Sequence, residues 1–287
     1  MNNKKIIITG ANGFIGEHLV KHFSAIGYHI IALVRSLPQY KVTSVDYVLY
    51  DMNDSVKEEV FNNADALIHC AYVRYDKNKN ADLINLKGTH YLINECEKHG
   101  VKFVFLSSFS AHKNAVSHYG KMKLQCEQLI DISKNLIIKP GLVIGKKGLA
   151  ADIMAKVKSS TFFPLVGAGV QPLQTVCIHD VCVVIETLLV KNKTGMYLVA
   201  ESKPVSMKQF YKTIAKALNK KIIFIPIPFS LVYFASKLAE LFKIKFPVSS
   251  DSVLGLKQLT TFDTSNDIAS IGISLKTYDK SILLALN

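Results

Sequence analysis

Short apolar runs alternate along the chain with stretches whose apolar residues recur every three or four positions, which predicts strands and helices in turn. Lys4-Lys5-Ile6-Ile7-Ile8 is a β-branched run that predicts a buried first strand. After it, Ile15, Leu19, Phe23 and Ile26 stand at helical spacing. Further strands are predicted at Tyr28 to Val34, Tyr47 to Tyr50, Ala66 to Cys70, Lys102 to Leu106 and Asn135 to Lys139, the last stopping at Pro140-Gly141. Between them the spacing predicts helical residues near Ser55 to Phe61, a long helix over Asn80 to Lys98 that ends before Gly100, and another over Ser117 to Ser133. Such alternation implies an α/β protein with a doubly wound parallel sheet, right-handed crossovers and helices on both faces.

After Gly145 the rhythm changes. Ala150 to Lys158 reads as helix, and Phe162 to Gly169 as a loop punctuated by Pro and Gly. Thr175 to Ile178 and Asp180 to Val190 read as a strand and helix that rejoin the sheet, with a further strand at Met196 to Val199. The remainder is mostly helical apart from a strand at Ile222 to Ile227. The expected organisation is a main domain over 1–145 and 172–200, and a smaller lobe over 146–171 and 201–287 that binds substrate.

Between the first strand and first helix stands Thr9-Gly-Ala-Asn-Gly-Phe-Ile-Gly16. Gly10 permits a tight turn, Gly13 lets backbone approach a pyrophosphate, and Gly16 lets the helix pack on the strand. The helix N-terminus then offers N–H groups and partial positive charge to phosphates. A Rossmann-type dinucleotide site is therefore expected beyond the carboxyl ends of the strands.

The formal charge is +13, which raises nucleic acid as a partner. The basic residues are spread lysines, with arginine only at Arg35 and Arg74 and no dense run among aromatics. No nucleic-acid partner is expected, although the field favours an anionic substrate such as a nucleotide. Hydrophobic residues make up 49% of the chain, enough to exclude disorder; only Met1 to Asn3 are expected to be untethered. Cys70, Cys96, Cys126, Cys177 and Cys182 are odd in number and lack a Cys-x-x-Cys pair, so reduced thiols of a cytoplasmic protein are expected. The first apolar run is too short for a secretory leader. Ile222 to Ala235 is strongly apolar but too short to span a membrane and is broken by Pro226 and Pro228. It is expected to form the core of the lobe, with an interfacial helix around Leu231 to Phe242 as the alternative. His18 and His22, at i and i+4, are expected on the solvated side of the first helix. No third ligand is evident and no metal is expected.

Tyr119 and Lys123 fall one turn apart on a predicted helix, on one face. A free tyrosine has a pKa of about 10, and a neighbouring ammonium lowers it. With the charge of an oxidised nicotinamide added, the pair makes a proton shuttle for alcohol and ketone interconversion. Ser107 and Ser108 follow the fifth strand, where a hydroxyl can bond a substrate oxygen as charge develops.

These segments together resemble the extended short-chain dehydrogenase/reductase superfamily, in its nucleotide-sugar epimerase/dehydratase/reductase branch. The likeness runs nearly end to end. Besides the glycine turn it includes Asp51-Met52, Ile68-His-Cys-Ala71, Asn85-Leu-Lys-Gly-Thr89, Leu106-Ser-Ser108 and Tyr119-Gly-Lys-Met-Lys123. It continues through Lys139-Pro-Gly-Leu-Val-Ile-Gly145, Ile178-His-Asp-Val181 and Phe262-Asp-Thr264…Ile271-Gly272. The resemblance implies Tyr119 as general acid/base, Lys123 on the nicotinamide ribose, Ser108 rather than Ser107 on the reacting oxygen, and Asn85 as a helix asparagine supporting the site. It implies Gly10, Asn12, Gly13, Phe14, Ile15, Gly16, Asp51, Met52, Cys70, Ala71, Pro140 and Gly141 around the cofactor, and a homodimer built from two helices per copy. The chain departs from the family at Lys139, where Arg is usual, and at Phe109-Ser-Ala-His112, and it is shorter than the sugar epimerases.

Where an NAD site usually places an acidic residue, the second strand ends in Val34-Arg35-Ser36. Arg35 suits a 2′-phosphate, so NADP(H) is expected, with NAD(H) as the alternative. Phe109 and Ser110 lack the carboxylate that dehydratases of the branch carry there. Reduction of a keto-sugar nucleotide is the expected reaction, with C4 epimerisation as runner-up. Two further alternatives are a dinucleotide sensor or assembly protein and a reductase of a lipid- or steroid-like ketone.

Overall fold

The structure is a computed structural model that describes residues 4–75, 78–244, 246 and 248–287; Met1 to Asn3 lie outside these. The first apolar run forms strand β1 (Lys5–Thr9), and the glycine turn leads into helix α1 (Phe14–Ala25). Next come β2 (His29–Val34), β3 (Val45–Leu49), β4 (Ala66–His69), α2 (Ala81–His99), β5 (Lys102–Leu106), α3 (His118–Glu127) and β6 (Leu136–Pro140). Then follow β7 (Leu142–Ile144), α4 (Gly148–Ser159), β8 (Phe162–Val166), β9 (Pro172–Leu173), β10 (Thr175–Cys177), α5 (Ile178–Val190) and β11 (Gly195–Val199). The last elements are β12 (Val205–Ser206), α6 (Met207–Ala217), β13 (Ile223–Ile227), α7 (Phe229–Leu241), α8 (Ser250–Lys257), α9 (Ser265–Ile271) and α10 (Tyr278–Leu286).

Seven strands form one sheet in the order β11-β6-β5-β4-β1-β2-β3, parallel from β3 across to β6. Register places Ile31, Ile7, Leu67 and Phe103 in one row across four strands. That row packs with Ile84, Leu92 and Cys96 of α2 and with Met122 and Cys126 of α3. The alternate residues Ile6, Ile8 and Ile68 are just as buried. A parallel sheet covered on both faces explains why these strands read as continuous apolar runs rather than alternating ones.

The chain divides into two compact units. The first runs to Ser108 and adds Met122–Lys139 and Ile178–Tyr197; the second takes Phe109–Lys121, Pro140–Cys177 and Leu198–Asn287. In the second unit, Ala150, Met154 and Val157 of α4 pack with Phe163 and Leu165 of β8 and with Phe210 and Ile214 of α6. Ser206 caps α6, its hydroxyl accepting from Gln209 N at 3.1 Å.

Four local expectations need correction. Phe162 to Gly169 is not all loop: β8 pairs in parallel with β13, and only Gly167–Gly169 forms a 3₁₀ turn. Pro164 fits because a two-stranded sheet leaves outward positions that need no N–H. Helix α3 stops at Glu127 instead of reaching Ser133: Leu129 N and Ile130 N turn to the i−3 carbonyls of Cys126 and Glu127 at 3.2 and 3.1 Å, and Asp131 then draws in Ser133 N and Oγ at 2.9 and 2.6 Å. Near Ser55 to Phe61 there is a single 3₁₀ turn, Glu58–Val60. His18 and His22 are half-buried rather than solvated: His18 Nδ1 lies 2.8 Å from Phe14 O, and His22 Nε2 lies 2.7 Å from Glu186 on α5.

Candidate active site

The glycine turn is shaped by contacts that leave no room for a side chain. Gly10 has φ +64°, and a Cβ there would sit 2.8 Å from Ala71 N; one on Gly16 would sit 2.3 Å from Gly10 O. Gly13 N donates to Gly10 O at 2.8 Å and closes the turn. Extended Gly13 then caps α1 with no side-chain bond, so Phe14, Ile15 and Gly16 open a helix whose first N–H groups have no intrahelical acceptor. Asn12 and Gly13 are exposed. Such a cradle fits the pyrophosphate of a dinucleotide, which would receive those N–H groups.

The first unit also carries Arg35, Asp51, Met52, Cys70, Ala71 and Lys123 of the expected cofactor residues. Asn12 Nδ2 donates to Ser36 O at 2.6 Å, which ties the turn to the segment carrying exposed Arg35 at the end of β2. Asp51 accepts from Asn53 N at 3.2 Å just beyond β3. Met52 is buried under α2, where Gly88 lets the helix approach: a Cβ there would meet Met52 O at 2.7 Å. Cys70 and Ala71 follow β4, and Ala71 N donates to Thr9 Oγ1 at 3.2 Å. Thr9 Oγ1 also lies 2.7 Å from His69 Nδ1, whose Nε2 is 3.1 Å from Thr89 Oγ1. Burial first, and the Lys123 charge second, push His69 down to about 3, so this imidazole is neutral. The Thr9–His69–Thr89 chain joins β1, β4 and α2 beneath the turn. His69 stands within Ile68-His-Cys-Ala71, and the strand register that sets it beside Thr9 gives it this role.

Asn85 on α2 spends both ends of its amide on one residue: Oδ1 accepts from Val73 N at 2.9 Å and Nδ2 donates to Val73 O at 2.8 Å. It fixes the segment after β4. Lys123 is 4% exposed, donates to Leu106 O at 2.7 Å, and lies 4.5 Å from the Phe105 ring centroid and 5.3 Å from that of Tyr72. Burial pulls its ammonium down to about 8, while the Cys126, Cys70 and Glu127 groups oppose the shift.

The two serines after β5 differ in their surroundings. Ser107 is buried and its hydroxyl donates to Glu127 Oε1, whereas Ser108 is half-buried. Glu127, one turn beyond Lys123, also accepts from Lys139 Nζ at 2.9 Å, with both side chains under a tenth exposed. Lys139 thus ends in a buried ion pair. Glu127 escaped sequence reasoning because its partners come from β5 and β6, far apart in the chain.

In the second unit, half-buried Tyr119 stands in the first turn of α3, the helix that continues to Lys123. That turn is anchored by His118 N donating to Asp251 Oδ1 at 2.6 Å and Gly120 N donating to Ser117 Oγ at 3.1 Å. Pro140 O accepts from Phe109 N at 3.1 Å, and Gly141 N donates to Val199 O at 3.1 Å. Among the described residues no group of three His, Cys, Asp or Glu side chains could hold a metal ion.

A seven-stranded sheet with a glycine-lined turn opening its first helix is the Rossmann-type arrangement. Residues 6–134 match the model of the NAD dependent epimerase/dehydratase family. The UDP-glucose 4-epimerase of Vibrio cholerae is 28% identical over 262 residues, 78% of this chain and 79% of that protein. A decarboxylating sterol-4-alpha-carboxylate 3-dehydrogenase of Dictyostelium discoideum is 22% identical, covering 84% of this chain and 87% of its own. Among solved structures, MoeE5 in complex with UDP-glucose and NAD superposes with a TM-score of 0.76 at 17% identity, over 98% of this chain and 97% of that one. The superposition shows the shared fold. The matching family model and the enzyme relatives support an enzyme here.

Proposed function

We propose that this chain reduces a keto-sugar nucleotide with NADPH, with Tyr119 as the proton donor. One observation carries the reading: Tyr119 and Lys123 stand one turn apart on α3, in a chain whose glycine-capped first helix suits a pyrophosphate. A reduced nicotinamide, held by the residues named here, would be the source of the hydride for the substrate carbonyl carbon. Tyr119 Oη gives its proton to the carbonyl oxygen, completing the alcohol. The Ser108 hydroxyl would donate to that oxygen as charge builds. An ammonium has three N–H donors, and Lys123 has given one to Leu106 O; the others suit ribose hydroxyls, while its charge favours the tyrosinate left after transfer. Asn85 keeps the segment after β4 in place, and Gly13 to Gly16 bind the pyrophosphate. Asp51 and Met52 flank the adenine, Cys70 and Ala71 line the cofactor, and Pro140 with Gly141 adjoins the carboxamide. Thr89 and Cys126, 3.7 Å apart, join α2 to α3, and this helix pair is where two copies would meet as a homodimer.

Preference for NADPH rests on Arg35, placed beside the turn by the Asn12–Ser36 bond. Arg35→Ala is expected to weaken NADPH binding roughly tenfold or more while NADH binding stays nearly unchanged, the worth of hydrogen bonds to a charged group. Fluorescence titration of both dinucleotides checks this; equal affinities in the native protein contradict it.

The Vibrio cholerae relative favours a second reading, C4 epimerisation of a nucleotide sugar. Such an enzyme oxidises and re-reduces its substrate on one retained NAD, so mass spectrometry of dinucleotide carried through purification separates the two.

A further inference from the structure

Helix α7 has two apolar sides. Val232, Ser236 and Ala239 are buried. Leu231, Phe234, Leu238, Leu241 and Phe242 recur at i, i+3, i+7, i+10 and i+11, form one stripe, and are each 57% to 74% exposed. The strand feeding this helix does the same. On the β8–β13 pair, Phe162 stands opposite Ile223 and Pro164 opposite Ile225, all four exposed, where an outward sheet face is ordinarily polar. Ile244 and Phe246 add exposed apolar side chains just after the helix. A contiguous apolar stripe of this kind marks an interaction surface.

Its charge indicates the occupant. Residues 220–257 carry Lys220, Lys221, Lys237, Lys243, Lys245 and Lys257 against only Glu240 and Asp251. Glu240, the sole carboxylate of α7, accepts from Ser250 N and Oγ at 2.8 Å each and lies 3.8 Å from Lys237. Lys237 and Lys243 are exposed. A second copy would set lysine-rich rim against lysine-rich rim, and like charges disfavour that pairing. Acidic lipid headgroups complement both the rim and the stripe. Thirteen residues of helix reach about 20 Å, short of a bilayer core of about 30 Å. Among the described residues no helix is long and apolar enough to cross a membrane.

We propose that this face docks the protein on the surface of an anionic bilayer, the α7 stripe entering the headgroup boundary and the lysines pairing with acidic headgroups. The inference is independent of the reaction. It is tested by co-sedimentation of the full chain with vesicles of phosphatidylcholine containing phosphatidylglycerol, and with phosphatidylcholine alone. The native protein is expected to pellet with the anionic vesicles and far less with the neutral ones. The triple variant Leu231→Gln, Phe234→Gln, Leu238→Gln is expected to partition roughly tenfold less, with unchanged melting temperature because these side chains are already in water. Lys237→Glu with Lys243→Glu is expected to cut binding to anionic vesicles about tenfold or more and so narrow the gap to neutral ones. Native protein left in the supernatant with both vesicles overturns the proposal, as does undiminished binding by both variants. Light scattering that shows a native oligomer falling apart in the triple variant also overturns it, because the occupant is then another copy.

Discussion

Tyr119→Phe is expected to lower turnover roughly 10²- to 10⁴-fold while dinucleotide affinity stays nearly unchanged. The substitution deletes one hydroxyl and keeps the ring. The turn that carries it is held from elsewhere, by His118 N on Asp251 and Gly120 N on Ser117. A large fall therefore reports lost proton transfer, not a displaced helix. Steady-state kinetics on an active substrate, with NADPH titration in parallel, measure both quantities. Near-native turnover by Tyr119→Phe rules out the shuttle. A sensor or assembly protein, in contrast, has no turnover to lose, and its dinucleotide response survives the change.

Glu127→Ala is expected to destabilise the protein by about 3–5 kcal/mol, the usual cost of removing one partner of a buried ion pair. Glu127 serves two donors, the Ser107 hydroxyl and Lys139 Nζ at 2.9 Å. Its loss strands a buried ammonium and a buried hydroxyl at the carboxyl ends of β5 and β6. Replacing both charges, Glu127→Leu with Lys139→Met, is expected to recover most of the loss, because two apolar groups need no compensation there. Urea unfolding of the three proteins gives the comparison. A single variant within about 1 kcal/mol of native, the scale of an exposed pair, shows that the interaction carries no structural weight.

The parts of the fold legible in the sequence are those set by short-range pattern. Lys102–Leu106 coincides end for end with its predicted strand, and Ala81–His99 differs from its predicted helix by one residue at each end. A continuous apolar run, Phe103 to Leu106, and a glycine after the helix suffice for these. Contacts between distant segments were not legible. Phe162–Val166 looked like loop because Pro164 interrupts it, and only its pairing with Ile223–Ile227 makes it a strand. Helix α3 reads as longer because nothing in the local pattern marks the switch to i−3 bonding at Leu129 and Ile130. Within the site, the glycine turn and the Tyr119–Lys123 spacing were visible as motifs. Glu127 and His69 were not assigned roles, since both work through partners that the sheet register brings to them. Lys139 appeared only as a departure from the family, and its reason is the carboxylate it meets on α3.

The most direct test of the central claim is to follow NADPH consumption by the purified chain against a panel of keto-sugar nucleotides, with product analysis. One NADPH consumed for each hydroxyl sugar nucleotide formed is the predicted result. Interconversion of UDP-glucose and its C4 epimer with no net change in NADPH would contradict it and establish the epimerase instead.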